Sequence, residues 1–294
     1  MLDPDVQSRP AELRFKLTRV GVTGVRKPVH IRRPGRSDTL TAGFEVFVDL
    51  PATMKGVHLS RNLEVVSEIV EESVRDPVPS LEDVCADIAR RLLERHEYAT
   101  YGEVSSEAEY FLQRTTPLGT ATTERYGLIA RARITRGSPL TLLQKSIGVE
   151  VMGMTACPCA METIKFRRSQ EGKALEDGTP IITHNQRTIS RLLLEIPEGG
   201  EVEADDLIDM VEDSLSSPTY EILKRGDEAE VVERAHREPR FVEDVVREIL
   251  ARLLKKYPDF PDAVQVEVRS ESEESIHKHN AVAERVTTFG ELRT

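Results

Sequence analysis

The sequence predicts an α+β protein in which the order strand, strand, helix, helix, strand, strand occurs twice. Three observations carry this. Stretches of apolar/polar alternation mark half-buried strands, and runs with apolar residues three and four apart mark amphipathic helices. The two kinds of stretch follow one another in the same order in both halves of the chain, as a repetition of pattern without a residue-level repeat.

Residues 1–10 are polar, include Pro4 and Pro10, and read as a loosely held arm. A first unit then spans 11–138. Within it Ala42, Phe44, Val46, Val48 and Leu50 alternate as a strand with one face on the core. Leu59, Leu63, Val66, Val70 and Val74 recur at helical spacing, and a turn over Pro77–Ser80 leads into a second helix. Ser80 is its expected N-cap, with Asp83 three residues on as a variant of the capping box. The apolar stripe of that helix runs Leu81, Val84, Cys85, Ile88 and Leu92, which places Cys85 in the core. Two strands follow near 100–115 and 121–136, the second with Tyr126, Leu128, Ala130, Ala132 and Ile134 in alternation.

The second unit, 139–294, has strand-like segments near 142–153 and 188–196, separated by a polar insertion near 165–183. Leu207, Val211 and Leu215 suggest a helix. Phe241, Val242, Val245, Val246, Ile249, Leu250, Leu253 and Leu254 form the strongest amphipathic stripe in the chain, with Pro239 before it and Pro258 after it. Val264, Val266 and Val268 alternate with polar residues as a half-buried strand.

Composition narrows the function. The chain has 294 residues, 39% hydrophobic and 31% charged, enough to build a core and typical of a soluble globular protein. Its formal net charge of −11 repels phosphate backbones, so nucleic acid is not an expected partner. A small anionic substrate would need a local cluster of basic groups. No stretch has the apolar length of a membrane span and the N-terminus has no signal-peptide core, so the expectation is a cytoplasmic protein with no membrane partner. Cys85, Cys157 and Cys159 do not form a disulfide framework in a reducing compartment.

Four segments concentrate reactive side chains. In Cys157-Pro158-Cys159 the single intervening residue is too short for a zinc-knuckle spacing, and Pro158 makes it hard for both sulfurs to reach one metal. One thiolate as ligand or nucleophile fits better; the alternative is two buried, inert Cys. In His184-Asn185-Gln186-Arg187, His184 has ligand chemistry and Arg187 suits an anionic group. In Glu274-Ser275-Ile276-His277-Lys278-His279-Asn280, a strand would place His277 and His279 on one face, as a metal site or as one ligand and one proton donor. Two exposed His near the C-terminus is the plain alternative. In Lys55-Gly56-Val57-His58-Leu59-Ser60-Arg61, Ser60 can cap a helix whose N–H groups receive phosphate oxygens, with Lys55, His58 and Arg61 adding positive charge. An ordinary capped turn with solvated cations would look the same. Among the many carboxylates, Glu233 and Glu243 could each accept two hydrogen bonds from a ligand that presents paired N–H groups, although Glu243 equally suits a helix N-terminus.

Taken in order, the segments at 55–61, 157–159, 184–187, Leu223-Lys224-Arg225 with Asp227-Glu228, 241–247 and 274–279 resemble the GTP cyclohydrolases of the archaeal methanopterin pathway, relatives of the bacterial type IB enzymes. The resemblance implies tandem tunnelling-fold (T-fold) units assembling into oligomeric barrels, a homo-oligomer with active sites at subunit interfaces. It implies GTP as substrate and 7,8-dihydroneopterin 2′,3′-cyclic phosphate, formate and pyrophosphate as products; bacterial relatives keep the triphosphate. It also implies Fe(II), with Zn or Mn as the other candidate metals. By motif position Cys157 is the first Cys of the family's pair and the foremost ligand candidate. His184 is a ligand, and His277 is a catalytic or ligating residue with His279 beside it. Glu233 is either a ligand or the guanine anchor. Lys55, His58, Arg61 and Arg187 are the expected phosphate contacts. Metal-activated water would attack C8 of guanine while His277 or His279 moves protons.

Two other classes compete. A T-fold nitrile reductase of deazaguanine metabolism would use the Cys covalently with a nicotinamide cofactor, a reading that leaves the three His unused. A non-catalytic, metal-stabilised assembly protein would have a closed metal site and would leave the basic turn at 55–61 unexplained.

Overall fold

The computed structural model describes residues 5–33, 36–172 and 181–294. The chain divides into two compact units. One comprises Met1–Glu109, Leu128–Ile147 and Glu195–Glu198; the other comprises Tyr110–Gly127, Gly148–Leu194 and Gly199–Thr294.

The first unit is built on strands β1 (Leu17–Arg33), β2 (Arg36–Leu50), β3 (Tyr101–Thr115) and β4 (Ala121–Thr135), hydrogen-bonded in that order, with the distal ends of β3 and β4 belonging to the other unit. Helices α1 (Leu59–Arg75) and α2 (Leu81–Arg95) pack together, and α1 also packs on β1. The alternating set Ala42, Phe44, Val46, Val48 and Leu50 is buried, as are Leu81, Val84, Cys85, Ile88 and Leu92. Burial pushes the Cys85 thiol well above its ordinary pKa, in keeping with an inert core residue. Ser80 caps α2 as its sequence predicts, accepting a hydrogen bond from the Asp83 N–H at 3.2 Å.

Three expectations are corrected here. The buried face of α1 is Asn62, Val65, Val66, Ile69, Val70 and Ser73, while Leu59, Leu63 and Val74 are exposed. Val66 and Val70 of the expected stripe are inward, but the rest of the face was misplaced because two inward positions are polar and bonded to main-chain carbonyls, Asn62 to Val46 of β2 and Ser73 to Val70 one turn back. The N-cap of α1 is His58, without a side-chain capping bond, so Ser60 lies inside the first turn. The N-terminal arm is not loose in residues 5–10: Lys55 N–H donates to the Arg9 carbonyl at 2.9 Å and Gly56 N–H to the Gln7 carbonyl at 3.1 Å.

The second unit contains β5 (Leu142–Ala156), whose first residues lie in the other unit, then α3 (Pro158–Gln170), β6 (Asn185–Ile196), α4 (Ala204–Glu212), β7 (Ser217–Pro218), α5 (Arg225–Arg237), α6 (Val242–Lys256), β8 (Gln265–Ser272), β9 (Ala281–Thr288) and α7 (Phe289–Leu292). The strand order is β5-β6-β8-β9, with β7 pairing β5. Leu207, Ile208 and Val211 of α4 and Val245, Ile249 and Leu253 of α6 are buried, as are Leu192, Leu194, Val266 and Val268 of the sheet. This half therefore carries α3 and α5 beyond the expected order. Helix α3 takes up the start of the polar insertion; positions 173–180 of it lie outside the described residues. Segment 274–280 is not a strand: β8 and β9 pair as far as Ser272 with Ala281, and 273–280 is the loop that joins them. Among the described residues no helix is long and apolar enough to cross a membrane.

Candidate active site

The ends of β5, β6 and β8 bring three of the singled-out segments together in the second unit. Strand β5 stops at Ala156, and Cys157 becomes the N-cap of α3 because Pro158, fixed in φ and lacking an N–H, suits the first helical position. The Cys157 N–H donates to the His184 carbonyl at 3.0 Å, and the Thr183 hydroxyl donates to the Cys157 carbonyl at 2.7 Å. Cys157 and His184 are thereby stitched to each other by backbone. Cys157 is half-buried and Cys159 is exposed on α3.

His184 stands just before β6, and its ring is nearly enclosed, with the side chain 12% exposed. Its Nδ1 lies 3.0 Å from Gln186 Oε1 and 3.7 Å from Glu274 Oε2. Beyond β8 the ladder continues for one bond, Glu273 N–H to the Arg187 carbonyl at 2.8 Å, which sets Glu274 beside Gln186. Glu274 Oε1 lies 3.4 Å from Gln186 Nε2, whereas its buried Oε2 has no hydrogen-bond partner among the described residues. The His277 ring meets His184 edge-on at 6.3 Å between centroids, and His279 stacks on His277 at 5.3 Å. His277 and His279 thus adjoin despite the absence of a strand, through the bends of the 273–280 loop. Beneath Gln186 lies a fully buried column of hydroxyls, Thr155–Thr188 at 2.8 Å and Thr188–Ser272 at 2.9 Å.

The donor chemistry here, a thiol, imidazoles and a buried carboxylate oxygen with no hydrogen-bond partner among the described residues, fits a divalent transition metal. Among the described residues no three or more His, Cys, Asp or Glu side chains stand close enough together to hold one.

The basic turn belongs to the first unit. Lys55 is exposed; His58 Nε2 is 3.5 Å from both Asp5 Oδ1 and Ser8 Oγ; Arg61 Nη1 donates to the Arg95 carbonyl at 3.1 Å. The Ser8 hydroxyl and N–H hold the Asp5 carboxyl below its ordinary pKa, with a smaller contribution from His58 and Arg61.

Residues 4–283 match the family described as type I GTP cyclohydrolase folE2. This chain belongs to that family. It is 44% identical over 304 residues to a protein of Methanosphaera stadtmanae named GTP cyclohydrolase MptA, covering 99% of this chain and 96% of the relative. It is 43% identical over 303 residues to the protein of that name from Methanobrevibacter smithii, with 99% and 97% covered. The uricase of Arthrobacter globiformis superposes with a TM-score of 0.52 at 9% identity, covering 92% of this chain and 93% of that one. The urate oxidase of Bacillus sp. TB-90 gives 0.51 at 11% identity, over 92% and 100%. At such identities the likeness is one of fold, and it is the tunnelling fold. These matches favour neither the nitrile reductase nor the assembly-protein reading.

The remaining candidates of this cyclohydrolase chain lie on exposed ground. Arg187 is exposed at the start of β6. Glu233 is on α5, paired with Arg237 one turn on at 2.5 Å. Glu243 is exposed in the first turn of α6, where Asp244, not Glu243, accepts the Phe241 N–H. Sequence reading gave no role to Gln186, Glu274 or His236. The last ties α5 to the site, its Nε2 3.3 Å from the Thr183 carbonyl. Gln186 and Glu274 each lie within the motifs that supply the His residues, and that adjacency was the available signal.

Proposed function

We propose that this chain converts GTP to 7,8-dihydroneopterin 2′,3′-cyclic phosphate, with release of formate and pyrophosphate, at the entry to methanopterin biosynthesis in the cytoplasm. The observation that carries the reading is the convergence of Cys157, His184 and His277 at one end of the sheet, in a full-length member of the cyclohydrolase family. Cys157, His184 and His277 are the residues to hold a metal, Fe(II) by preference and otherwise Zn or Mn. Such an ion supplies Lewis-acid activation of water near neutral pH.

The chain's own residues do the rest. His277 and His279, stacked and exposed, are placed to move protons to and from the purine as its five-membered ring opens. Lys55, His58, Arg61 and Arg187 take the phosphates, and the carboxylates of Glu233 and Glu243 are the candidates for the guanine edge. The two T-fold units are assigned to 11–138 and 139–294. The chain is taken to act as a homo-oligomer with active sites at subunit interfaces, as its resemblance to the cyclohydrolases implies.

The test is anaerobic incubation of purified, Fe(II)-loaded protein with GTP, with products identified by mass. Formate, pyrophosphate and a cyclic phosphate are expected. An intact triphosphate product would move the chain to the bacterial reaction, and no GTP consumption with any divalent metal would overturn the function.

A further inference from the structure

We propose that Gln186 is a positioning residue that keeps the proton of His184 on Nδ1, so that Nε2 faces the site as a bare lone pair. The argument begins with the amide, whose oxygen and nitrogen must be told apart by their surroundings. One end of the Gln186 amide lies 3.4 Å from Glu274 Oε1 and 3.3 Å from the Thr155 hydroxyl. A carboxylate oxygen accepts and does not donate, so that end is the NH2 group. The other end is therefore the carbonyl oxygen, and it lies 3.0 Å from His184 Nδ1. An amide oxygen can only accept, so Nδ1 must donate, and in a neutral imidazole the remaining nitrogen is then unprotonated.

The surroundings reinforce this orientation. Glu274 Oε2 is buried, has no hydrogen-bond partner among the described residues, and lies 3.7 Å from the same Nδ1. A negative oxygen there favours N–H over a lone pair at Nδ1. On the far side, Thr155 accepts from Gln186, so its own proton is directed to Thr188 at 2.8 Å or Ser272 at 3.3 Å. These hydroxyls come from three strands and are fully buried, so the amide is anchored on rigid ground. The His184 backbone is itself held by the Cys157 N–H.

The functional consequence rests on the reading of His184 as a metal ligand; the placement of the proton does not. A hydrogen bond at the far nitrogen orients a ligating His, and its loss costs about 10–100-fold in metal affinity. The experiment uses the metal-free, full-length protein and nitrogen-15 NMR of the histidine rings, with the His184 signals assigned by their loss in His184→Ala. Wild type is expected to show the Nδ1–H pattern. Gln186→Leu should lose that pattern and bind Co(II) about 10–100-fold more weakly, with its thermal unfolding followed as a control for folding. The exchanged pair Gln186→Glu with Glu274→Gln keeps an acceptor oxygen against Nδ1 and an N–H to carboxylate bond between the two side chains, so it should retain the pattern, which keeps the test sharp if the Leu variant does not fold. An Nε2–H pattern in wild type, persistence of the Nδ1–H pattern in Gln186→Leu, or its loss in the exchanged pair Gln186→Glu with Glu274→Gln overturns the proposal. The Nδ1–H pattern in wild-type protein that takes up no Co(II) would uphold the proposal and overturn the ligand reading instead.

Discussion

Acidification from pH 7 to pH 4.5 should cost about 2 kcal/mol of stability through His96 alone. His96 is wholly buried at the end of α2. Its Nε2 is 2.7 Å from Asn62 Oδ1, and its Nδ1 is 3.1 Å from the Tyr98 hydroxyl. Because the Asn62 amide nitrogen donates to the Val46 carbonyl, its oxygen faces His96, so Nε2 donates and Nδ1 accepts from Tyr98. A neutral ring is fully satisfied by that pair. Burial, helped by the nearby positive Arg61 and His58, lowers its pKa from the ordinary 6.5 to about 4.

The sign follows from proton uptake. Below pH 6.5 the unfolded chain gains a proton at this position while the folded chain stays neutral until about pH 4. The contribution is therefore complete above 6.5 and is lost as pH falls toward 4. The displacement is worth about 1.4 kcal/mol per unit, roughly 3 kcal/mol in full and about 2 kcal/mol over the interval tested. The assay is urea unfolding by circular dichroism at both pH values, for wild type and for His96→Gln. The variant keeps a donor for Asn62 and cannot titrate, and all other groups cancel in the comparison. Wild type should lose about 2 kcal/mol more than the variant on acidification. Equal losses would refute the reasoning.

Three further outcomes are expected. Cys157→Ala should lose metal-dependent GTP turnover with an unchanged circular dichroism spectrum, since the side chain is half-buried and caps nothing; full activity would remove it from the ligands. Arg61→Ala should raise the KM for GTP about 10-fold or more, the worth of a charge-assisted bond to phosphate; an unchanged KM would remove Arg61 from the phosphate site. Gly21→Ala should destabilise by about 1–3 kcal/mol in urea titration, because a Cβ there would meet the Val46 carbonyl oxygen at 1.8 Å.

What the sequence discloses about the fold depends on whether each element buries a regular stripe. Strands β2 and β4 and helices α2 and α6 do, and their buried residues were legible, although Phe241 at the head of the α6 stripe is the exposed N-cap and Leu254 is only partly covered. Strand β1 does not: its pairing with β2 shifts register between Leu17 and Val20 and again between Val22 and Val25, where Gly24 takes a positive φ of 72°. Each shift breaks the alternation that would mark a strand. Helix α3 was hidden for a different reason, since Met161 is its only buried residue and no stripe can form. His96 was invisible because the partner that satisfies its buried ring, Asn62, lies on another helix, a contact between segments distant in sequence.

The candidate site was legible to the extent that it draws on residues with unusual chemistry. Cys157, His184, His277 and His279 announce themselves by type, whereas the Gln186 amide beside His184 and the hydroxyls behind it are common residues whose meaning comes from register. Thr188 pairs with Ser272 and Ser190 with Ser270 across β6 and β8. On β6 the inward positions run Gln186, Thr188, Ser190, then Leu192 and Leu194; on β8 they run Ser272, Ser270, then Val268 and Val266. Both inner faces therefore pass from polar to apolar along their length, and the polar ends coincide because the strands are antiparallel. Buried hydroxyls are tolerated when they pair with one another, as Ser190 and Ser270 do at 2.8 Å. An apolar column there would pack as well but would offer no acceptor to the Gln186 amide, which the Thr155 hydroxyl supplies at 3.3 Å, so the polar end of this core ties the sheet to the loop side chains above it.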